Sequence, residues 1–246
     1  MLFHPSITQY ERTEDLNLQI ARGLIDGHSL VNVQGFNAAQ PTGFRAVWER
    51  SNVADYVYPT AAVAMAFTSS LAETLTMVVQ GLDANYALKT AIVTFSNSTT
   101  GIVTTGTNLF FRINAMQITS GSALDTIVAT NNGNTFAQIS PGAGRSQASI
   151  YTVPAGYTFY LTRAQAFTTN NGAQYCSYRI YSQTINAGIT TPSIVLTAPF
   201  TQNYVSTRVV PRPYLEKTDI QWQLSQSNPA PGSIQIEGIL IANLIP

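Results

Sequence analysis

The chain has 246 residues, 45% of them hydrophobic and only 10% charged, with Lys+Arg 12 balancing Asp+Glu 12. That apolar content excludes a disordered chain, and the length suits one large domain or two smaller ones around a substantial core. With Arg208, Arg212 and Lys217 as the nearest approach to a basic stripe, and no apolar run near the roughly 18–20 residues of a membrane span, neither nucleic acid nor membrane is an expected partner.

The start, Met1-Leu2-Phe3-His4-Pro5, has no basic n-region or apolar h-region and is not read as a signal peptide. Residues 1–44 hold Glu11, Arg12, Glu14, Asp15, Arg22 and Asp26, and apolar Leu16, Leu18 and Ile20 alternate with polar neighbours. Leu30, Val31 and Val33 form a second apolar patch. A helix over 13–25, capped by Thr13 and ended by Gly23, competes with an extended arm. The repeated Gly23, Gly27, Gly35 and Gly43, with Pro41 among them, favour the arm. An arm cannot bury itself, so Leu16, Leu18, Ile20, Leu30 and Val31 are candidate assembly-interface residues.

From residue 45 the pattern is β. Strands are predicted at 45–50, 61–69, 74–80, 86–95, 108–119, 125–130, 134–139, 147–153, 157–168, 174–183, 193–198, 203–209, 218–225 and 233–242, all rich in Val, Ile, Thr, Phe and Tyr. Ile220, Trp222 and Leu224 alternate with Asp219, Gln221 and Gln223. Ile234 and Ile236 alternate with Ser233, Gln235 and Glu237, and Tyr157, Phe159 and Leu161 with Thr158, Tyr160 and Thr162. One buried and one wet face is the mark of antiparallel sheets. Turn clusters punctuate the strands, among them 81–85, 131–134, 141–144, 154–156, Asn170-Asn171-Gly172 and 228–232. The fold predicted is all-β, an antiparallel β-sandwich that is jelly-roll-like, with an N-terminal arm at 1–44 and a β region at 45–246. A weak boundary at 139–146 is the candidate place to divide that region.

Chemistry is sparsely supplied. The one cysteine, Cys176, lies in a strand pattern and reads as a small buried residue; it excludes an intramolecular disulfide and suits a reducing cytosol. Two histidines, His4 and His28, fall short of a zinc set, and His28 beside Asp26 and Gly27 reads as a turn. No nucleophile elbow or phosphate loop is present. Glu49, Asp55, Glu73, Asp83, Asp125, Glu216, Asp219 and Glu237 are the carboxylates from which a glycoside hydrolase would draw its pair. Asp83 reads as a turn cap, and Glu216 and Asp219 beside Arg212 and Lys217 read as a surface ion-pair cluster. The expectation is a chain that is not an enzyme, with no catalytic residue, metal or cofactor. Tyr175, Tyr178 and Tyr181 are candidate interface aromatics, with Tyr151, Tyr157 and Tyr160 nearby; cross-strand packing is the equal alternative.

Five segments in order carry a resemblance: Val47-Trp48-Glu49-Arg50, Val79-Gln80-Gly81-Leu82-Asp83-Ala84-Asn85-Tyr86, Leu109-Phe110-Phe111-Arg112-Ile113-Asn114, Tyr151-Thr152-Val153-Pro154-Ala155-Gly156-Tyr157 and Glu216-Lys217-Thr218-Asp219-Ile220. Together, from about residue 45 to the C-terminus, the chain resembles virion structural proteins of tailed bacteriophages of marine and freshwater bacteria. It departs from that pattern after Asn85, where Ala87-Leu88-Lys89-Thr90 replaces a Glu-rich strand. The resemblance implies a virion protein assembled in the host cytoplasm, with the major capsid protein or other virion proteins as partners and a homo-oligomer, a trimer, as the working form. A capsid decoration (cement) protein is the expected role. A tail, neck or fibre component is the alternative, and a glycan-binding or glycan-hydrolysing sandwich a third. The long spine helix of a tailed-phage shell protein has no candidate here.

Overall fold

The computed structural model describes residues 14–169, 175–186 and 189–243. His4 and the Asn170-Asn171-Gly172 turn lie outside them, as do Glu11 and Arg12.

One short helix, α1 (Leu16–Ala21), precedes the strands β1 (His28–Gln40), β2 (Arg45–Ala46), β3 (Val63–Ala64), β4 (Ala66–Leu82), β5 (Leu88–Thr105), β6 (Leu109–Phe110), β7 (Arg112–Ser120), β8 (Ile127–Asn131) and β9 (Asn134–Ile139). Then come β10 (Ile150–Thr152), β11 (Tyr157–Thr168), β12 (Cys176–Asn186), β13 (Ile189–Phe200), β14 (Asn203–Tyr214), β15 (Thr218–Gln226) and β16 (Ala230–Ala242). The chain is all-β, and every strand pairing is antiparallel.

Two sheets, in the orders β1-β16-β11-β14 and β10-β15-β12-β13, enclose one core and so form a sandwich. Alternating residues of both fill it: Val33, Phe159, Leu161, Ile234 and Ile236 from the first, Tyr178, Ile180, Ile220, Trp222 and Leu224 from the second. If the eight strands are counted in chain order, first pairs with eighth, second with seventh, third with sixth and fourth with fifth. That is a long hairpin rolled up on itself.

The connection between the first and second of those strands carries a whole second unit. β4, the central strand of it, pairs with β5 on one side and with β7 and β8 on the other; β9 extends the sheet beyond β8. Phe67, Met77, Val79, Val93, Phe95 and Met116 make a separate core for this insert. Core membership changes between Ile139 and Tyr151, across the 139–146 turn region.

Several expectations change. The segment 28–40 is no arm: it pairs residue by residue with β16, and Val33 belongs to the sandwich core. The division at residue 44 also falls inside that core, since Val47 shares it with Val33. Leu16–Ala21 is helical because the Asp15 carboxylate accepts from the Asn17 and Leu18 N–H groups, a cap two residues later than Thr13 would supply. Finally, the predicted wet face of β15 is covered: Asp219 and Gln223 are buried as well as Trp222. Strands 61–69 and 74–80 merge into β4 through an irregularity between Thr68 and Glu73. β13 and β14 run longer than predicted, despite Pro192, Pro199, Pro211 and Pro213, because each is the last strand of its sheet and has one side with no N–H to pair.

Candidate functional site

Two places stand out chemically: the seam between insert and sandwich, and the sandwich side where β13 and β14 end their sheets.

At the seam, Arg112 of β7 reaches Asp219 of β15 through two parallel bonds, Nε to Oδ1 at 2.9 Å and Nη2 to Oδ2 at 2.8 Å. Their side chains are 4% and 2% exposed. Nη1 donates to the carbonyls of Pro59 at 2.8 Å and Phe111 at 2.9 Å. Thr152 adds a hydroxyl to Asp219 Oδ1 at 2.6 Å. The guanidinium lies 4.0 Å from the Phe111 ring centre and 4.8 Å from that of Tyr58. Burial alone lowers a guanidinium's pKa, but the bonds to Asp219 and its charge outweigh burial here and raise Arg112 above its ordinary value. Asn114 and Thr152 exchange a second pair of bonds across the seam, at 3.0 and 2.9 Å. Trp48, Tyr56 and Tyr58 pack edge to face beside it, 5.3 and 5.0 Å apart in turn. This is a fastener with its donors engaged inside the chain.

A cleft of ≈ 520 Å³ opens over the fastener, lined by Tyr58, Phe111, Tyr181, Gln183 and Gln221. Its charge is already neutralised by Arg112 and Asp219.

The other carboxylates are engaged locally. Glu73, fully buried, accepts from Ser69 Oγ and from the Leu124 and Asp125 N–H groups, pinning that loop to β4. Asp83 caps its own turn by accepting from Asn85 and Ala87 N–H. Asp55 pairs with Arg45 and Glu237 with Arg163. Glu216 accepts from Gly156 N–H. Glu49 differs: Oε1 accepts from Gln147 N–H, while Oε2 is buried with no partner. Burial pushes its carboxyl up to about 7, against the pull of the Gln147 bond. Among the described residues no group of three or more His, Cys, Asp or Glu could hold a metal ion.

Because β13 and β14 are both terminal strands, the two sheets end on the same side of the sandwich, stitched by Tyr178 stacking on Tyr204 at 4.9 Å. β14 leaves its partner there. Leu161 faces Arg212 and Arg163 faces Thr207, so Arg208-Val209-Val210-Pro211 stands opposite Thr162 alone and bulges outward. Val209 is 98% exposed and Val210 79%, with Val205, Ile194 and Leu215 also exposed. Arg208 Nε is buried without an acceptor, as are the Tyr178 and Tyr214 hydroxyls. Arg212 lies over the Tyr214 ring at 5.9 Å. Burial pushes the Tyr214 phenol up to about 12 against the pull of Arg212 and Arg208.

The residues predicted for an interface scatter. Leu16, Leu18 and Leu30 are exposed, Val31 is half-buried against the sandwich core, and Ile20 is buried. Tyr175 is 71% exposed, Tyr181 lines the cleft, and Tyr178 is wholly buried in the core. Tyr178 is therefore not a surface aromatic. The strand period already separates it from Tyr175 and Tyr181, which share the opposite parity. Asp219 is likewise no surface ion pair: its partner, Arg112, is 107 residues away in the chain. Cys176 is buried, as read. His28 opens β1, with its ring bonded to the Asp26 carbonyl at 2.9 Å. The predicted strand 203–209 stops short of the bulge's far end, and the prolines beyond it, Pro211 and Pro213, are the sequence signal of an edge strand.

No protein-family model matches the chain. No curated protein matches it. Among solved structures, a chain from the "Structure of infectious bursal disease virus Gt strain" aligns with 87% of this chain and 72% of its own length, at 12% identity and a TM-score of 0.20. A similarity of that size carries no argument.

Proposed function

We propose that this chain is a structural protein of a virus particle, and within that class a decoration protein that braces the shell of a tailed phage. The observation that supports it best is the winding order. Pairing first with eighth, second with seventh, third with sixth and fourth with fifth is the order of a jelly roll, an architecture used by viral capsid and lectin domains. Fold alone does not give function, so the surface matters too. The described ionisable groups largely serve internal contacts, while the side formed by β13 and β14 presents apolar residues outward. A protein that binds only the assembled shell stabilises it by mass action, with no chemistry required. The contact surface this suggests is the β14 side, with exposed Leu16 and Leu18 of α1 as a smaller second patch. The partner is the major capsid protein or another virion protein, met by a homo-oligomer, in our reading a trimer.

The cleft supports a second reading. Tyr58, Phe111 and Tyr181 beside the Gln183 and Gln221 amides, with no unpaired charge, suit a neutral sugar ring, and lectins share the winding.

Counting copies per purified particle, by gel densitometry against the main shell protein, tests the first reading. A count on the order of hundreds supports decoration; roughly a dozen or fewer moves the chain to tail, neck or fibres. No copies at all would overturn the virion role and leave the cleft reading, which a glycan array addresses.

A further inference from the structure

The β14 bulge combines three features that do not coincide elsewhere among the described residues. Its two valines project from the sheet rather than along it. Arg208 and Arg212 flank them, and neither has an acidic partner among the described residues. Arg208 also holds an Nε–H that is buried by its own chain and meets no acceptor there. We propose that Arg208–Arg212 is a docking knob for a different polypeptide, one that offers an apolar pocket to Val209 and Val210 with carboxylates at its rim for the two guanidiniums. This deepens the structural reading above and rests on it.

Charge decides the occupant. A second copy of this chain is the simplest alternative, and it fits poorly in either geometry. In a two-fold contact centred on Val210, Arg208 of one copy faces Arg212 of the other, and like charges directly opposed are destabilising. In a head-to-tail contact, the knob would meet another face of the chain. None of the terminal strands β1, β5, β9, β10, β13 and β14 contains an Asp or Glu. The exposed or half-exposed carboxylates are already bonded: Glu14 to Arg22, Asp55 to Arg45, Glu237 to Arg163, Asp15 to its helix N-terminus, Asp83 and Asp125 to their own loops, Glu216 to Gly156, and Glu49 to Gln147 with its second oxygen buried. Among the described residues that leaves Asp26, one carboxylate for two guanidiniums. Simple strand addition is also disfavoured, because Pro211 and Pro213 remove two N–H groups from β14. The contact is therefore made by side chains of the knob.

The test places p-benzoylphenylalanine at Val209, a position exposed enough to leave the core untouched, and irradiates particles carrying that chain. The expected product joins this chain to another virion polypeptide, in a segment containing Asp or Glu. An adduct to a second copy overturns the proposal, and so does the absence of any adduct in particles that contain the chain. In parallel, the Arg208→Gln/Arg212→Gln double variant should rebind stripped particles at least about tenfold more weakly than the parent. Equal binding by both overturns the role of the arginines. If the chain is absent from particles altogether, the virion role fails and this contact fails with it; failure of the adduct alone removes only the contact.

Discussion

Arg112 and Arg208 are the same residue type in two opposite situations. Arg112 sits between insert and sandwich with four hydrogen bonds to Asp219, Pro59 and Phe111 and an aromatic ring against its plane. Arg208 sits at the rim of the sandwich, its Nε buried and without an acceptor, beside two valines that touch little of their own chain. The first completes a contact within the chain and the second leaves one open. The difference separates residues that hold the fold together from residues available to a neighbour, and it does so without any catalytic constellation being invoked.

The comparison breaks most visibly at Arg112. Replacing it with Ala leaves Asp219 buried and uncompensated, and should cost about 3–5 kcal/mol in urea unfolding of the isolated protein. A loss under about 1 kcal/mol would mean that the seam is held by its aromatic packing instead.

Glu49, whose Oε2 is another buried atom without a partner, gives the next largest effect through pH. Burial raises its carboxyl to about 7 in the folded protein, against an ordinary value of 4.5. Between these values the folded state binds the extra proton, so stability falls as pH rises. The contribution is complete below about 4.5 and lost above about 7, a change of about 3 kcal/mol. Unfolding curves of the parent and Glu49→Gln, taken at intervals across that window, should diverge in that sense. Parallel curves would show the Glu49 carboxylate to be adequately solvated.

The smallest effect sharpens the contrast: Val209→Ser together with Arg208→Gln should change stability by no more than about 0.5 kcal/mol while weakening association with particles. A large loss of stability would place the knob among the internal supports.

Sequence pattern reached far into the sandwich. The alternation of Ile220, Trp222 and Leu224, and of Phe159 and Leu161, marked residues that are all fully buried in one core. β11 falls on its predicted bounds at 157–168. Period-2 patterning reports which face of a strand is apolar, and a strand facing a core cannot disguise it. The candidate site was much less legible. Asp219 reads as solvated next to Glu216 and Lys217, because the arginine that covers it belongs to a different unit of the chain. Residues 28–40 read as an arm because their apolar pattern is broken by buried Gly35, Asn37 and Gln40. Gly35 has no side chain because a Cβ there would lie 2.3 Å from the Val47 carbonyl, a contact that exists only after the chain has folded back.

What the sequence by itself determined is therefore the class of fold, the inward faces of most strands, the turn cap at Asp83 and the burial of Cys176, since each depends on neighbours within a few residues. Only the tertiary structure decided that the first strand closes the sandwich against the last, that a second β unit is inserted between the first strand and the second, that Arg112 locks the two units, and that Arg208 is left open. Those outcomes depend on which distant segments meet, and local periodicity carries no information about a partner 100 or more residues away.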